Sequence, residues 1–217
     1  MIELPEKIKD VLGSSVYSSD IVGMSGASVL LFEDKVLKID KVCDESYLTR
    51  PQELTRILAE GLKMFWGIDI SKCPYHCRLD KKLEMARYNV EHDLVDVDNV
   101  EPDTFGENGF QSPAHLLDWL EHNRPEEDIV LSHGDYCLPN IFIENGKISG
   151  FLDLGKTGCA DRYQDIALCY RSLKHNYEGK YGGRTYEGFD PDSLFDQLGT
   201  KPDWDKIKYY MLLDELF

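Results

Sequence analysis

Residues 131–155 read LSHGDYCLPNIFIENGKISGFLDLG, with apolar-rich runs on either side of Asn145-Gly146. Asn-Gly between such runs is a strong hairpin signal, because both residues of a type I′ turn need positive φ. A two-residue loop here pairs Glu144 with Lys147 and, farther along, Asn140 with Phe151. Asn140 and Asp153 then share the open end of the hairpin. Asp135 enters on the loop just before it.

Two carboxylates and an amide gathered in this way suit phosphoryl transfer. One carboxylate orients the attacking hydroxyl or accepts its proton, while an amide oxygen and the second carboxylate hold Mg²⁺ on nucleotide phosphates. His133-Gly134-Asp135, four residues, Asn140 and then Asp153-Leu154-Gly155 follow the protein-kinase pattern His-x-Asp-x-x-x-x-Asn and Asp-x-Gly. Gly134 stands where protein kinases carry Arg, and Leu154 where they carry Phe. The plainer alternative is a polar hairpin with scattered carboxylates. Order, spacing and a hairpin that converges the ligands favour the kinase set.

Further stretches point the same way: Ile68-Asp69-Ile70-Ser71-Lys72-Cys73-Pro74-Tyr75, Gly150 to Gly155, Lys201-Pro202-Asp203-Trp204, and Leu213-Asp214-Glu215-Leu216-Phe217. On these residues the chain resembles the aminoglycoside phosphotransferases, and most closely the 3′-phosphotransferase type acting on kanamycin- and neomycin-like antibiotics. The resemblance runs through nearly everything after Pro51 and, more weakly, through the chain before Lys41. It implies an α+β, protein-kinase-like fold of two lobes: a reduced β-lobe for nucleotide over residues 1–50, and a mainly helical catalytic and substrate-binding lobe over residues 51–217. It also implies transfer of the γ-phosphate of ATP or GTP, with Mg²⁺, to an aminoglycoside 3′-hydroxyl, and hence antibiotic resistance.

Residue by residue, the resemblance makes Asp135 the catalytic base or hydroxyl-orienting residue and Asn140 and Asp153 the metal ligands. Lys38, Ser25 and Lys156 go to the nucleotide. Asp214, Glu215, Phe217 and Arg171 go to the substrate side, with Arg171 an ion-pair partner. Asp165 matches an acidic residue that braces the catalytic loop through its backbone. His175 and Asn176 fall where the resembling enzymes carry acidic substrate-contacting residues, a departure from the pattern.

Composition fits this frame. Hydrophobic residues make up 42% of the 217 and aromatics 11%, ample for a core. No apolar run approaches the ~18 residues of a membrane span. The start, Met1 to Glu6, lacks the basic-then-apolar order of a signal peptide, so a cytoplasmic protein is expected. A net charge of −16 disfavours nucleic acid as a partner and suits a polycationic ligand. The six cysteines form no Cys-x-x-Cys pair, and free thiols are a better reading than zinc at Cys73, His76 and Cys77.

In chain order, the apolar spacing predicts a helix over Leu4 to Leu12 and strands at 15–18, 29–32 and 35–39. The glycine-containing turn at 23–28 is either a phosphate-covering loop or a plain hairpin turn. Lys38 on the third strand has two readings, a phosphate ligand or a surface lysine, and the downstream motif favours the first. After Asp40 the chain departs from the family: the helix and strands that complete a kinase small lobe have no counterpart before Pro51. Helices are expected over 51–67, 79–94, from Ser112-Pro113, over 161–173, 189–198 and 204–213. The acidic run from Glu91 to Glu107 is either a solvated face or part of a cover for ammonium groups. Two rival functions remain open at this point: a non-catalytic binding remnant, and a kinase for another small alcohol.

Overall fold

The computed structural model describes residues 18–20, 28–31, 36–39, 47–180 and 184–217. The helix expected over 4–12, the turn at 23–28 with Ser25, and residues 181–183 lie outside the described residues. The chain divides into two compact units, Met1–Asp44 and Glu45–Phe217.

In the first unit, β1 (Ser18–Asp20), β2 (Ser28–Leu31) and β3 (Val36–Ile39) form an antiparallel sheet in that order. Leu30 pairs with Ser19 and Leu37, and Lys38 pairs with Val29. The strand carrying Lys38 thus exists as the apolar alternation predicts.

The second unit is mainly helical, with two small sheets. Its helices are α1 (Pro51–Trp66), α2 (Leu79–Glu91), α3 (Pro113–His122), α4 (Arg162–Glu178), α5 (Ser193–Leu198) and α6 (Trp204–Asp214). Its strands are β4 (Ile129–Ser132), β5 (Ile141–Glu144), β6 (Lys147–Phe151) and β7 (Gly158–Asp161), paired β4 with β7 and β5 with β6. The amphipathic α1 starts at Pro51, whose fixed φ suits a first helical turn. Leu54, Ile57, Leu58 and Leu62 on its inner face have no exposure at all. Each such side chain contributes about 1.5–3 kcal/mol by leaving water. This helix packs on α5, β4 and β6 and so supports the hairpin, and α4 packs on α6.

Three helix ends differ from expectation. The second helix stops at Glu91 rather than Leu94, because Asp93 adopts φ 52° and turns the chain out of the helix. The fourth runs five residues past Leu173, burying His175 and Tyr177 before the left-handed Gly179 ends it. The fifth begins at Ser193, not Phe189: Asp190 accepts the Asp192 N–H in an Asx turn, and the Phe189 ring stacks on Tyr177 at 3.5 Å. No helix among the described residues is long and apolar enough to cross a membrane.

Candidate active site

Asn145 and Gly146 take φ of 51° and 74°, the two positive values a type I′ turn requires. Glu144 faces Lys147 and Ile143 faces Ile148, as the turn dictates. Beyond them Ser149 is an extra residue, so Phe142 faces Gly150 and Ile141 faces Phe151. The expected pairing of Asn140 with Phe151 is therefore displaced by a β-bulge. Asn140 stands against Leu152 instead, whose N–H donates to its carbonyl at 2.9 Å. The bulge brings Asn140 one residue closer to Asp153.

The Asn140 side chain is 6% exposed, and its Nδ2 donates to the Asp135 carbonyl at 2.9 Å and to Asp135 Oδ2 at 3.1 Å. It also lies 3.3 Å from Cys137 Sγ. With the amide hydrogens so engaged, Oδ1 is left as an acceptor. Asp153 adopts the left-handed conformation at φ 52°, ψ 47°. Its exposed carboxylate has no hydrogen-bond partner among the described residues. Short side chains such as Asp tolerate this conformation, and here it throws the carboxylate outward from the strand end.

The loop that carries Asp135 is held by a buried carboxylate. Asp165, in the first turn of α4, accepts the His133 N–H at 2.7 Å and the Gly134 N–H at 2.9 Å. Gln164 Nε2 donates to the Gly134 carbonyl at 3.0 Å, and Thr157 Oγ1 donates to the His133 carbonyl at 3.0 Å. Burial pushes the Asp165 carboxyl up to about 6, against the pull of its two amide donors. Gly134 explains why the protein-kinase Arg is missing here. At φ +89°, a Cβ at this position would lie 2.2 Å from the Lys156 carbonyl oxygen, so no side chain fits.

His133 is fully buried and its Nδ1 accepts the Asp135 N–H at 3.2 Å, so the neutral ring carries its proton on Nε2. Burial lowers its pKa despite the nearby carboxylates of Asp135 and Asp153. It therefore acts as a structural post for the loop, wedged against Phe65, Tyr136 and Phe151. Lys156 closes the 3₁₀ turn Leu154–Lys156 with its side chain exposed. Asp135, Asn140, Asp153 and Lys156 thus belong to one segment organised by the hairpin base. Lys38 and Ser25 belong to the first unit.

A second cluster gathers residues from far-apart stretches. Arg171 on α4 meets Glu215 Oε1 through Nη1 at 3.0 Å and Asp214 through Nη2. Glu215 Oε2 accepts the Glu101 N–H at 2.9 Å. The Glu101 carboxylate meets Lys180 and, at 3.1 Å, His175 Nε2. Burial raises the Glu215 pKa, with the Arg171 charge and the Glu101 amide opposing it. For Glu101, Lys180 and His175 outweigh burial and lower the pKa. Glu101, Arg171, Asp214 and Glu215 border, with Asp96 and Phe217, a cavity of about 270 Å³.

The chain's last residues are docked rather than frayed. Leu216 is fully buried, its carbonyl accepts Asn89 Nδ2 at 2.9 Å, and the exposed Phe217 ring lies 5.8 Å from Lys82 Nζ. Sequence reasoning placed Asp214, Glu215, Phe217 and Arg171 here but did not link Glu101, His175 and Lys180 to them. Only the acidic run hinted at Glu101.

Alongside this kinase-type segment and its Asp165 brace, the phosphotransferase enzyme family matches residues 38–210. The chain belongs to that family. Its relatives include an aminoglycoside 3′-phosphotransferase of Enterococcus faecalis, 45% identical over 180 residues, which cover 81% of this chain and 64% of that protein. A Staphylococcus aureus protein of the same name is 44% identical over the same shares. The chain spans 64% of the length of these two relatives. Among solved structures, the type VIII aminoglycoside 3′-phosphotransferase is 25% identical with a TM-score of 0.67, over 78% of this chain and 62% of that one. An aminoglycoside phosphotransferase of Streptomyces rimosus shares the fold at a TM-score of 0.67 and 20% identity, over 96% and 95% of the two chains. The fold is therefore the protein-kinase-like α+β fold of this family, as expected from the motifs.

Proposed function

We propose that this family member is an aminoglycoside 3′-phosphotransferase, moving the γ-phosphate of ATP or GTP to the 3′-hydroxyl of a kanamycin- or neomycin-like antibiotic in the cytoplasm. The observation that carries this reading is the bond from Asn140 Nδ2 to Asp135 Oδ2 at 3.1 Å, beside an unpaired Asp153 carboxylate. Asp135 orients the substrate hydroxyl and takes up its proton. Asn140 keeps one Asp135 oxygen occupied, leaving the other for that proton. The Asn140 amide oxygen and the Asp153 carboxylate are hard oxygen donors of the kind Mg²⁺ prefers. Bound there with nucleotide, the ion would neutralise charge on the phosphates. Lys38, Ser25 and Lys156 steady the nucleotide. Asp214, Glu215, Phe217 and their partner Arg171 form the side that receives substrate ammonium groups, consistent with the acidic cavity. The names of the relatives support this substrate class over another small alcohol.

A coupled assay of ADP or GDP release with kanamycin, run beside Asp135→Ala, tests the proposal. Antibiotic-dependent release that disappears in the variant supports it. The absence of any nucleotide-dependent change in tryptophan fluorescence would instead favour a non-catalytic remnant.

A further inference from the structure

The connection between α1 and α2 crosses β7 at a parallel bridge. Cys159 N–H donates to the Tyr75 carbonyl at 2.8 Å, Cys77 N–H donates to the Cys159 carbonyl at 3.0 Å, and His76 faces Cys159. Ahead of this bridge the chain makes an ordered turn. Ser71 donates to Asp69 through both N–H and hydroxyl, and Cys73 N–H donates to the Ile70 carbonyl at 3.0 Å. That turn brings the Cys73 thiol back over the bridge, 3.6 Å from the Tyr75 carbonyl and against the Cys159 thiol.

All of these cysteines are free. Cys73 is partly exposed, whereas Cys159 is 3% exposed. Cys77 lies on the other face of the strand: a Cβ on Gly158 would stand 2.6 Å from Cys77 Sγ, and neighbouring residues of a strand point to opposite faces. The Cys73 and Cys159 thiols therefore face one another, and Cys77 is excluded. Among the described residues no group of three or more His, Cys, Asp or Glu side chains is arranged to hold a metal ion.

We propose that Cys73 and Cys159 are a redox-modification site, forming one reversible intramolecular disulfide with a low-molecular-weight disulfide as oxidant. The Cys73 thiolate, its proton lost to water, attacks one sulfur of the oxidant and expels the first small thiolate. The Cys159 thiolate then attacks Cys73 Sγ and expels the second. Two protein thiols are oxidised, one small disulfide is reduced to two thiols, and the two protons end on those thiols. Cys73 reacts first because it is the accessible partner. Cys159, buried and closed to the oxidant, resolves the mixed disulfide once Cys73 carries it.

The site adjoins the catalytic loop. Cys159 pairs with Leu131 on β4, two residues before His133, and the neighbouring Thr157 hydroxyl holds the His133 carbonyl. Oxidation would tie the 69–77 connection covalently to the strand beneath Asp135.

The test treats the folded full chain with oxidised glutathione, then caps remaining thiols and maps tryptic peptides by mass spectrometry. The expected result is a linked pair of peptides 73–78 and 157–162, lighter by two hydrogens and split by dithiothreitol. Two of the six thiols disappear from a thiol titration. The link persists in Cys77→Ser and is lost in Cys73→Ser. The melting temperature rises on oxidation in the wild type and in Cys77→Ser, and stays unchanged in Cys73→Ser. A Cys73–Cys77 link, a Cys77–Cys159 link, stable glutathione adducts without a cross-link, or six unreacted thiols would each overturn the proposal.

Discussion

Asp165 is fixed by backbone amides, with no cation at hydrogen-bond distance among the described residues, whereas Asp214, Glu215 and Glu101 each meet an Arg, Lys or His side chain. The two regions use carboxylates for different ends. Amides belonging to the catalytic loop cannot be exchanged for a ligand, so Asp165 holds Asp135 in one geometry. Side-chain cations can be displaced by other cations, so on the proposed function the carboxylates of the C-terminal cavity are stabilised when empty and still available to an ammonium group. Preorganisation and exchangeability are thus separated in space.

The sharpest way to break this comparison is at Asp135. Asp135→Asn keeps the shape and the bond to Asn140 but removes the proposed proton acceptor. We expect kcat to fall by about 10³-fold with an unchanged melting temperature, since general-base side chains contribute roughly 10²–10⁴. The ADP-release assay reads it directly. A fall below tenfold would show that the hairpin is scaffold only.

Asp165 comes next, and its effect depends on pH. Its folded pKa, about 6, lies above the ordinary value of 3.8. The folded chain therefore binds this proton more tightly than the unfolded chain does. The associated stability is fully present below pH 3.8 and is lost as pH rises through about 6. Asp165→Asn does not titrate. Urea unfolding of the two proteins should show the wild type losing stability relative to the variant across this window, by about 3 kcal/mol at most. Above pH 6 the wild type should nonetheless keep the higher kcat, because Asn offers one acceptor where the loop needs two. A stability difference that is flat with pH would refute the buried charge.

The same contrast explains what was legible in the amino acids. Asn145-Gly146 announces its turn because few residues accept positive φ, and the kinase spacing then places Asp135, Asn140 and Asp153 in one segment. The bulge at Ser149 leaves no such mark: Ile-Ser-Gly reads as an even strand, so the Asn140 register came out one residue off. The extra turns of α4 were hidden because His175 and Tyr177, polar by type, are buried by tertiary packing. Glu101 and Lys180 lie 79 residues apart, and no local period relates them. Local backbone requirements are written in short stretches, whereas exchangeable ion pairs are decided only when the chain closes.

Within the C-terminal cavity, Arg171 should matter more for stability than for chemistry. Its side chain is 21% exposed, against 29% for Asp214 and 7% for Glu215. Arg171→Ala leaves two partly buried carboxylates without their cation, and we expect a loss of about 2 kcal/mol in urea unfolding, less than for a fully buried pair. The kcat should change far less than in Asp135→Asn. A variant as stable as the wild type would show that the cluster tolerates its own negative charge and needs no internal cation.

Lys180 should give the smallest and most informative effect. It meets Glu101 at a site where both side chains are about a third exposed, 34% and 31%. Burial holds His175 below the usual imidazole value, with Glu101 opposing, so at neutral pH Lys180 is the cation on this carboxylate. Exposed pairs contribute roughly 0–1 kcal/mol, and Lys180→Ala should leave stability nearly unchanged. It also frees an anion at the cavity edge, so the KM for a polycationic aminoglycoside should fall by up to about fivefold, with kcat constant. Raising the salt should shrink this gain, because exposed charges are screened within about 10 Å at 0.1 M. A KM that rises instead would mean that Lys180 supports the bound substrate, and the C-terminal carboxylates would then resemble the fixed brace at Asp165 rather than an exchangeable store of charge.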